Sequence, residues 1–392
     1  MNNYQYLKEI RYAFHTKLIP KKYFILGNST CDMDSALSAY LLSIGKNIRH
    51  KCIEIDDTNV VSLNKEAKEI YVPVINCKRG EYESRLDGKF VFDKFKVNLD
   101  DFFYINDVEL SQTTFNDPKN DYNIILVDHS KLDESISYLS DYVIEIIDHH
   151  FTRELKYSNL KNIFIKYPCG SCTTLILMDY FLSKFPHTII PSLLATTAIL
   201  LDTENFNQKY YGNRWTEIDK IVYDKLINES QTHVDVEKYY KDIFQAKFDV
   251  EKNLALGLDI LMRKDKKNFK WNKFITEWSS LTISLNKIIE KFTFEKVIEY
   301  IDNNYKGKID FYVMLSTIDK DLKEAIIYSV KGEKIDINNM GEFLKSKMSD
   351  KYKAIEKKEN NENNENIIVI KLNTTASRKS VEPVLNEYFS KL

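Results

Sequence analysis

The sequence predicts an α/β protein of two domains: a larger N-terminal one with a mainly parallel sheet flanked by helices, and a smaller α+β one behind it. Its 392 residues, 43% of them hydrophobic, exceed the roughly 250 to 300 residues at which a single core stops growing. In the first half, short apolar runs that read as strands buried on both faces alternate with segments of helical period, as in a parallel sheet with covered faces. Two of these runs, Ile124–Val127 and Val143–Ile147, stop abruptly at acids and histidines. Open α/β sheets gather their ligands at such strand ends.

Residues 3–18 have helical periodicity through Tyr6, Leu7, Ile10 and Phe14, and they precede the strand candidate Tyr23–Leu26. Gly27 ends that strand. The polar turn after it carries Asn28, Asp32 and Asp34, and Ser35 opens a helix whose apolar side runs through Leu37, Tyr40, Leu41 and Ile44 until Gly45 stops it. Strands follow at Lys51–Ile55 and Ile70–Ile75, then a basic stretch with Lys78, Arg79 and Arg85, then mixed helix and loop over 90–115. Asn123–Val127, Val143–Asp148 and Ile163–Ile165 are further strands. Gly170–Thr174 is a small-residue turn that can offer backbone N–H groups to an anion at the start of the helix Leu175–Phe185. Pro191 starts another helix, which ends at Asp202.

From Asn207 the chain turns polar, with a turn at Gly212 and Asn213 and a cap-like Thr216. This places the first domain at residues 1–212, a linker at 213–234 and the second domain at 235–392. The second has helical patterning over Val236–Leu261, a strand at Lys270–Ile275, a helix at Phe292–Tyr300 and strands at Ile309–Thr317 and Glu324–Ser329. Past a polar, solvated insert, Lys357–Glu365, comes the strand Ile367–Leu372. A cationic turn, Thr374–Lys379, leads into the terminal helix.

Charges are abundant and balanced, with a formal net charge of -2, so no nucleic-acid polymer is expected as a partner. The five cysteines show no zinc-ribbon pairing, and the N-terminal stretch lacks an apolar signal core; a reducing, cytoplasmic setting is the expectation. Cys169 and Cys172 have redox spacing but read as part of a tight turn. No apolar run reaches the roughly 18 residues of a membrane span, and no membrane partner is expected.

Asp32 and Asp34 flank one residue at a helix start, where one of them can serve as the cap. Two are more than a cap requires, and their mutual repulsion is relieved by protonation or by a hard cation. Together with Asp128, His149 and Asp202 they offer enough ligands for two divalent cations. Two ions about 3.5 to 4 Å apart stabilise the attacking and leaving oxygens of a phosphoryl transfer, and a water shared between them becomes hydroxide near neutral pH. Hydrolysis of phosphate esters or phosphoanhydrides is the reaction class this points to.

The segments GNSTCDMDS, ILVDH, IIDHH, GSCTT and LLDTENF, in that order, resemble the successive motifs of the DHH phosphoesterase superfamily. VPVINCKRGEYESRLD, with Arg79 and Arg85, resembles its branch of yeast-type exopolyphosphatases and prune-like proteins. RKDKKNF and SRKSVEP resemble the accessory DHHA2 domain shared with family II inorganic pyrophosphatases. The resemblance implies an active site in the cleft between the two domains. It implies that Asp32 and Asp128 bind one metal, and that Asp34, Asp128, His149 and Asp202 bind the other. His150 resembles the histidine that contacts substrate phosphate, with Asp148 orienting the histidines. Arg378, Lys379 and Lys267 resemble cationic groups that meet the terminal phosphates, so that His150, Asp128 and Arg378 form the catalytic set. Lys267 also reads as part of a solvated basic face, and Arg79 and Arg85 equally as braces of the fold.

Asn28 stands where the pyrophosphatases of the superfamily have His. An amide is a poor ligand for manganese or cobalt, so the first site should suit magnesium better. The expectation is a cytoplasmic, monomeric exopolyphosphatase that releases orthophosphate from inorganic polyphosphate, or from another small phosphoanhydride, with two divalent cations (Mg2+, Mn2+ or Co2+). The alternatives are a prune-like short-chain polyphosphatase or cyclic-nucleotide phosphodiesterase, and a scaffold with little catalysis.

Overall fold

A computed structural model, describing residues 3–16, 19–55, 61–151, 155–181, 189–229, 235–318, 322–330, 337–348, 367–373 and 378–391, gathers the apolar runs of the first half into one sheet. The order along the chain is α1 (Asn3–His15), β1 (Lys21–Leu26), α2 (Met33–Arg49), β2 (Ile53–Ile55), β3 (Val61–Leu63), β4 (Glu69–Ile75), α3 (Leu86–Lys94), β5 (Phe103–Tyr104), α4 (Gln112–Phe115), β6 (Asp121–Val127), β7 (Val143–Asp148) and β8 (Asn162–Ile165). β2 and β3 pair only with each other. The other six form a parallel sheet in the order β5-β4-β1-β6-β7-β8.

The central strands are apolar because both faces are covered. Phe24, Ile25 and Leu26 of β1 and Ile124 to Val127 of β6 are inaccessible to solvent, and burying one such side chain stabilises by about 1.5–3 kcal/mol. After β1 the chain adds β4 and β5 on one side, then returns to lay β6, β7 and β8 on the other. The crevice beyond the carboxyl ends of β1 and β6 is therefore a topological switch point, where such sheets bind ligands.

Helix α2 continues through Gly45 instead of stopping there. A Cβ at Gly45 would lie 2.8 Å from the Tyr180 ring, so the glycine answers the close approach of α5 (Cys172–Tyr180) and not a helix end. α6 (Ser192–Ala195), α7 (Thr197–Asp202), α8 (Glu217–Asn228) and α9 (Val236–Phe248) follow.

The chain divides into units 1–246 and 247–392, not at the expected linker 213–234. That span reads polar, yet α8 turns Val222, Tyr223 and Leu226 into the first core, and α9 adds Tyr239 and Ile243 to it. Polar residues on the outer face of an amphipathic helix had masked its buried side.

The second unit comprises α10 (Val250–Ala255), α11 (Leu258–Arg263), β9 (Lys267–Trp271), β10 (Phe274–Leu281), α12 (Leu285–Phe292), α13 (Phe294–Tyr305), β11 (Phe311–Thr317), β12 (Leu322–Ser329), α14 (Ile337–Met348), β13 (Ile367–Asn373) and α15 (Arg378–Phe389). Its sheet runs β13-β12-β11-β10-β9, with only β10 and β11 parallel. Trp271, Trp278 and Phe311 pack with Leu344, Leu385 and Phe389, while Tyr312, Met314 and Ile326 pack with Ile288, Val297 and Ile301. The sheet is thus apolar on both faces, with a core on each.

The strand expected at Lys270–Ile275 is instead the tip of a hairpin: Trp271 pairs with Phe274 across a turn in which Asn272 takes a left-handed φ of 52°. The helix expected at Phe292–Tyr300 is α13, which begins at Phe294, two residues later than expected, and runs on to Tyr305; Thr293 parts it from α12. The insert 357–365 and the turn residues 374–377 lie outside the described residues. No described helix is long and apolar enough to cross a membrane.

Candidate metal centre

The crevice between β1 and β6 holds the acids. Asp128 follows β6 directly and takes a left-handed φ of 62°, a conformation that Asp tolerates better than most residues. Its carboxylate is buried. Oδ2 accepts the Asn28 amide at 2.6 Å and the Ser35 hydroxyl, while Oδ1 lies 3.1 Å from His149 Nε2. Asn28 thus reaches across the switch point from the end of β1.

Asp32 caps α2, accepting the Ser35 N–H at 3.0 Å, and its other oxygen accepts the Thr30 hydroxyl at 3.0 Å. Asp34, in the first turn of α2, is buried at the N-terminus of α5. Its Oδ1 accepts the hydroxyls of Ser171 (2.6 Å), Thr173 (2.8 Å) and Ser38 (3.2 Å) and the Thr173 N–H (3.0 Å). Its Oδ2 accepts the Cys172 N–H at 2.7 Å and faces His149 Nε2 at 3.6 Å. The N–H groups expected to receive an outside anion are therefore engaged by the chain's own carboxylate, which a helix N-terminus favours.

The histidines diverge. His149 is mostly buried, with Nδ1 2.9 Å from the Cys169 carbonyl, and this leaves Nε2 for the acids. His150 is half exposed; its Nδ1 lies 2.8 Å from Asp148 Oδ1. Asp148 Oδ1 also accepts the N–H groups of His149 and His150 at 2.8 and 3.1 Å. Asp128, His149 and His150 each offer a ligand atom within 4.8 Å of the others.

Asp202 ends α7, and its Oδ2 is buried without a hydrogen-bond partner among the described residues. It is held there by an unusual turn: Glu204, Asn205 and Phe206 all take left-handed φ, 50°, 56° and 57°, at about 1–2 kcal/mol each for ordinary side chains. The Phe206 ring, 5.3 Å from that of Trp215 and 4.9 Å from that of Tyr223, anchors the turn.

Burial, then the charges of Asp34 and Asp32, push the Asp128 carboxyl well above the usual range; the same causes in the same order act on Asp202. Burial opposes protonation of His149, yet its bond to Asp128 and the charge of Asp34 push it up to about 10. Burial also acts against ionised Asp148, but its bonds to His150 hold it below the ordinary value. Crowded carboxylates, with Asp148 Oδ2 and Asp202 Oδ2 both buried and without a hydrogen-bond partner among the described residues, fit a cation. Asp32, Asp34, Asp128, His149 and Asp202 have the oxygen-rich donor set that hard divalent ions take.

Of the remaining expected residues, Arg79 donates to Asp107 at 2.7 Å and to the carbonyls of Asp100 and Phe102, so it braces a loop. Arg85 donates to the Thr30 carbonyl. In the second unit, Arg378 donates to the Asp265 carbonyl at 2.6 Å and to its Oδ1 at 3.2 Å. Lys267 is exposed on β9, and Lys379 is the second residue of α15. Sequence reasoning missed Ser35, Ser171 and Thr173 as holders of the acids. It also missed Asp219, whose signal was present in the spacing Thr216-x-x-Asp219 of a capping box.

Known proteins resemble this chain in sequence and in fold. Residues 22–211 match the model of the DHH family, N-terminal domain. The chain is 26% identical over 313 residues to Exopolyphosphatase PRUNE1 of Rattus norvegicus, a match covering 78% of this chain and 62% of that protein. It is 23% identical over 251 residues to a Staphylococcus saprophyticus protein named as a manganese-dependent inorganic pyrophosphatase, covering 61% of this chain and 77% of that one. A crystal structure of a Methanococcus jannaschii protein assigned to the family II inorganic pyrophosphatases superposes with a TM-score of 0.57 at 22% identity, covering 94% of this chain and 99% of the other. That likeness is one of fold.

Proposed function

Because the chain belongs to the DHH superfamily, in its prune branch, we propose that it is a metal-dependent exopolyphosphatase, removing terminal orthophosphate from inorganic polyphosphate. The observation that carries this reading is the buried acid cluster at the switch point, where His149 Nε2 faces Asp128 and Asp34, and where Asp202, near enough to interact with their charges, keeps its Oδ2 buried without a hydrogen-bond partner among the described residues. The chain spans 62% of the length of the rat relative, so substrate and partners are part of the proposal, as are action as a monomer and a place in the cytoplasm.

Asp32 and Asp128 would hold one divalent cation, and Asp34, Asp128, His149 and Asp202 a second. Mg2+, Mn2+ or Co2+ bound there would supply positive charge for the phosphoryl oxygens and a water acidic enough to ionise near neutral pH. The protein's own groups do the rest. His150, exposed beside the centre and fixed by Asp148, faces the phosphate. Ser35 and Asn28 fix the Asp128 carboxylate. Arg378, its guanidinium directed by Asp265, acts with Lys379 and Lys267 to neutralise charge on the terminal phosphates.

The test is phosphate release from long polyphosphate, tripolyphosphate, pyrophosphate and a cyclic nucleotide, each with magnesium, manganese or cobalt. Long polyphosphate should be the best substrate, and Asp128→Asn should abolish its turnover. Equal rates in the variant and the wild type would sink the proposed site, and no turnover on any substrate would favour a scaffold.

A further inference from the structure

Asp219 lies in α8, outside every motif and within the span that reads as linker, yet it is completely buried. Both of its oxygens accept the Gly170 N–H at 3.0 Å. Oδ1 also accepts the Thr174 hydroxyl at 2.6 Å and the Cys169 thiol at 3.4 Å. Oδ2 accepts the Thr216 N–H at 2.9 Å, which closes the capping box. One carboxylate therefore grips the turn 169–174 from behind.

The front of the same turn touches the metal centre twice. The Cys169 carbonyl receives His149 Nδ1 at 2.9 Å, which fixes the ring so that Nε2 faces the acids. Ser171, Cys172 and Thr173 hold both oxygens of Asp34. We infer that Asp219 is a positioning residue for the metal centre, setting His149 and Asp34 together through this turn. The inference rests on the reading of Asp34 and His149 as metal ligands. Groups that orient a ligand from behind tune its affinity for metal, and losing one commonly weakens binding by about 10- to 100-fold. Acting through backbone, Asp219 belongs at the lower end.

A plain helix cap would also explain a buried Asp at this position, and the two roles separate experimentally. Thr216→Ala removes the other half of the capping box without releasing the turn; Asp219→Asn turns an amide N–H towards donors that need an acceptor. Binding of Mn2+ to the full chain is measured from the electron paramagnetic resonance signal of the free ion, beside thermal melts. Asp219→Asn should raise the dissociation constant by about tenfold, while Thr216→Ala lowers the melting temperature and leaves the constant unchanged. A folded Asp219→Asn with wild-type affinity overturns the inference.

If that variant does not fold, two others take its place. Thr174→Val cuts one bond to Asp219, and Gly170→Ala sets a methyl 3.2 Å from the Asp219 carboxylate and 3.0 Å from Thr203. Weakened Mn2+ binding in these supports the role, and wild-type affinity in both overturns it. Absence of Mn2+ binding by the wild-type chain overturns the metal reading and this inference with it, whereas unchanged affinity in the variants overturns this inference alone.

Discussion

Asp202→Asn should make the metal-free protein more stable at high pH and nearly neutral in effect at low pH. Asp202 Oδ2 is buried without a partner among the described residues, and its carboxyl is raised by burial and then by Asp34 and Asp32. A group whose folded value lies above its unfolded one contributes stability that is fully present below the unfolded value, about 3.9 for Asp. That contribution is lost as pH rises through the folded value. The ionised wild type then bears an uncompensated buried charge that the amide lacks.

Complete uncovering of one buried charge costs about 3–5 kcal/mol. Because Asp202 is half-buried as a residue and an amide brings donors of its own, about 2 kcal/mol is the expected gain. In a unit the size of residues 1–246 this is about 4–8 °C in melting temperature. The assay is a series of thermal melts with chelator from below the unfolded value of about 3.9 up to alkaline pH, with the gap between the proteins smallest at the acid end and widening as pH rises. Mn2+ at a hundredfold excess over its dissociation constant should then reverse the order, adding about 2.7 kcal/mol to the wild type and less to the variant. A variant no more stable than wild type at alkaline pH, without metal, would refute the reasoning.

Three further outcomes follow from the same geometry. With Asp128 and Asp202 raised and His149 pushed up to about 10, metal loading must expel protons. Its affinity should therefore climb with pH, and its calorimetric heat should vary with the ionisation heat of the buffer; a buffer-independent heat contradicts this. Asn28→His should shift preference from magnesium towards manganese and cobalt, read as the ratio of their dissociation constants. An unchanged ratio would mean that residue 28 serves Asp128 alone. Arg79→Ala should lower the melting temperature by about 2–4 °C, the loss of about 1 kcal/mol of hydrogen bonding, while phosphate release stays at the wild-type rate. A fall in that rate would return Arg79 to the substrate site.

The strand ends were legible because a strand covered on both faces leaves a continuous apolar run, and a charge that interrupts it stands out. Asp128 and the Asp148-His149-His150 triplet were visible for that reason. Gly45 misled because glycine signals both helix ends and close packing, and only the position of Tyr180 separates the two. The linker misled because α8 buries one narrow side and shows charge on the other. The holders of Asp34 were out of reach of sequence: Ser171 and Thr173 were read as an anion-binding turn, but nothing local could say that the anion was a residue 137 positions earlier.

The donors that meet at this centre are far apart along the chain. Asn28 and Asp128 are separated by 100 positions, Asp34 and Cys172 by 138, and the turn behind them is gripped from residue 219. Contacts of such sequence separation form late in folding, because the loops between them must close first. During synthesis, at about 5–20 residues per second, a metal ion would meet only scattered acids until α8 had left the ribosome. Tight metal uptake would then mark the moment at which the first domain becomes native, and a nascent chain halted before Asp219 should remain unable to hold the ion.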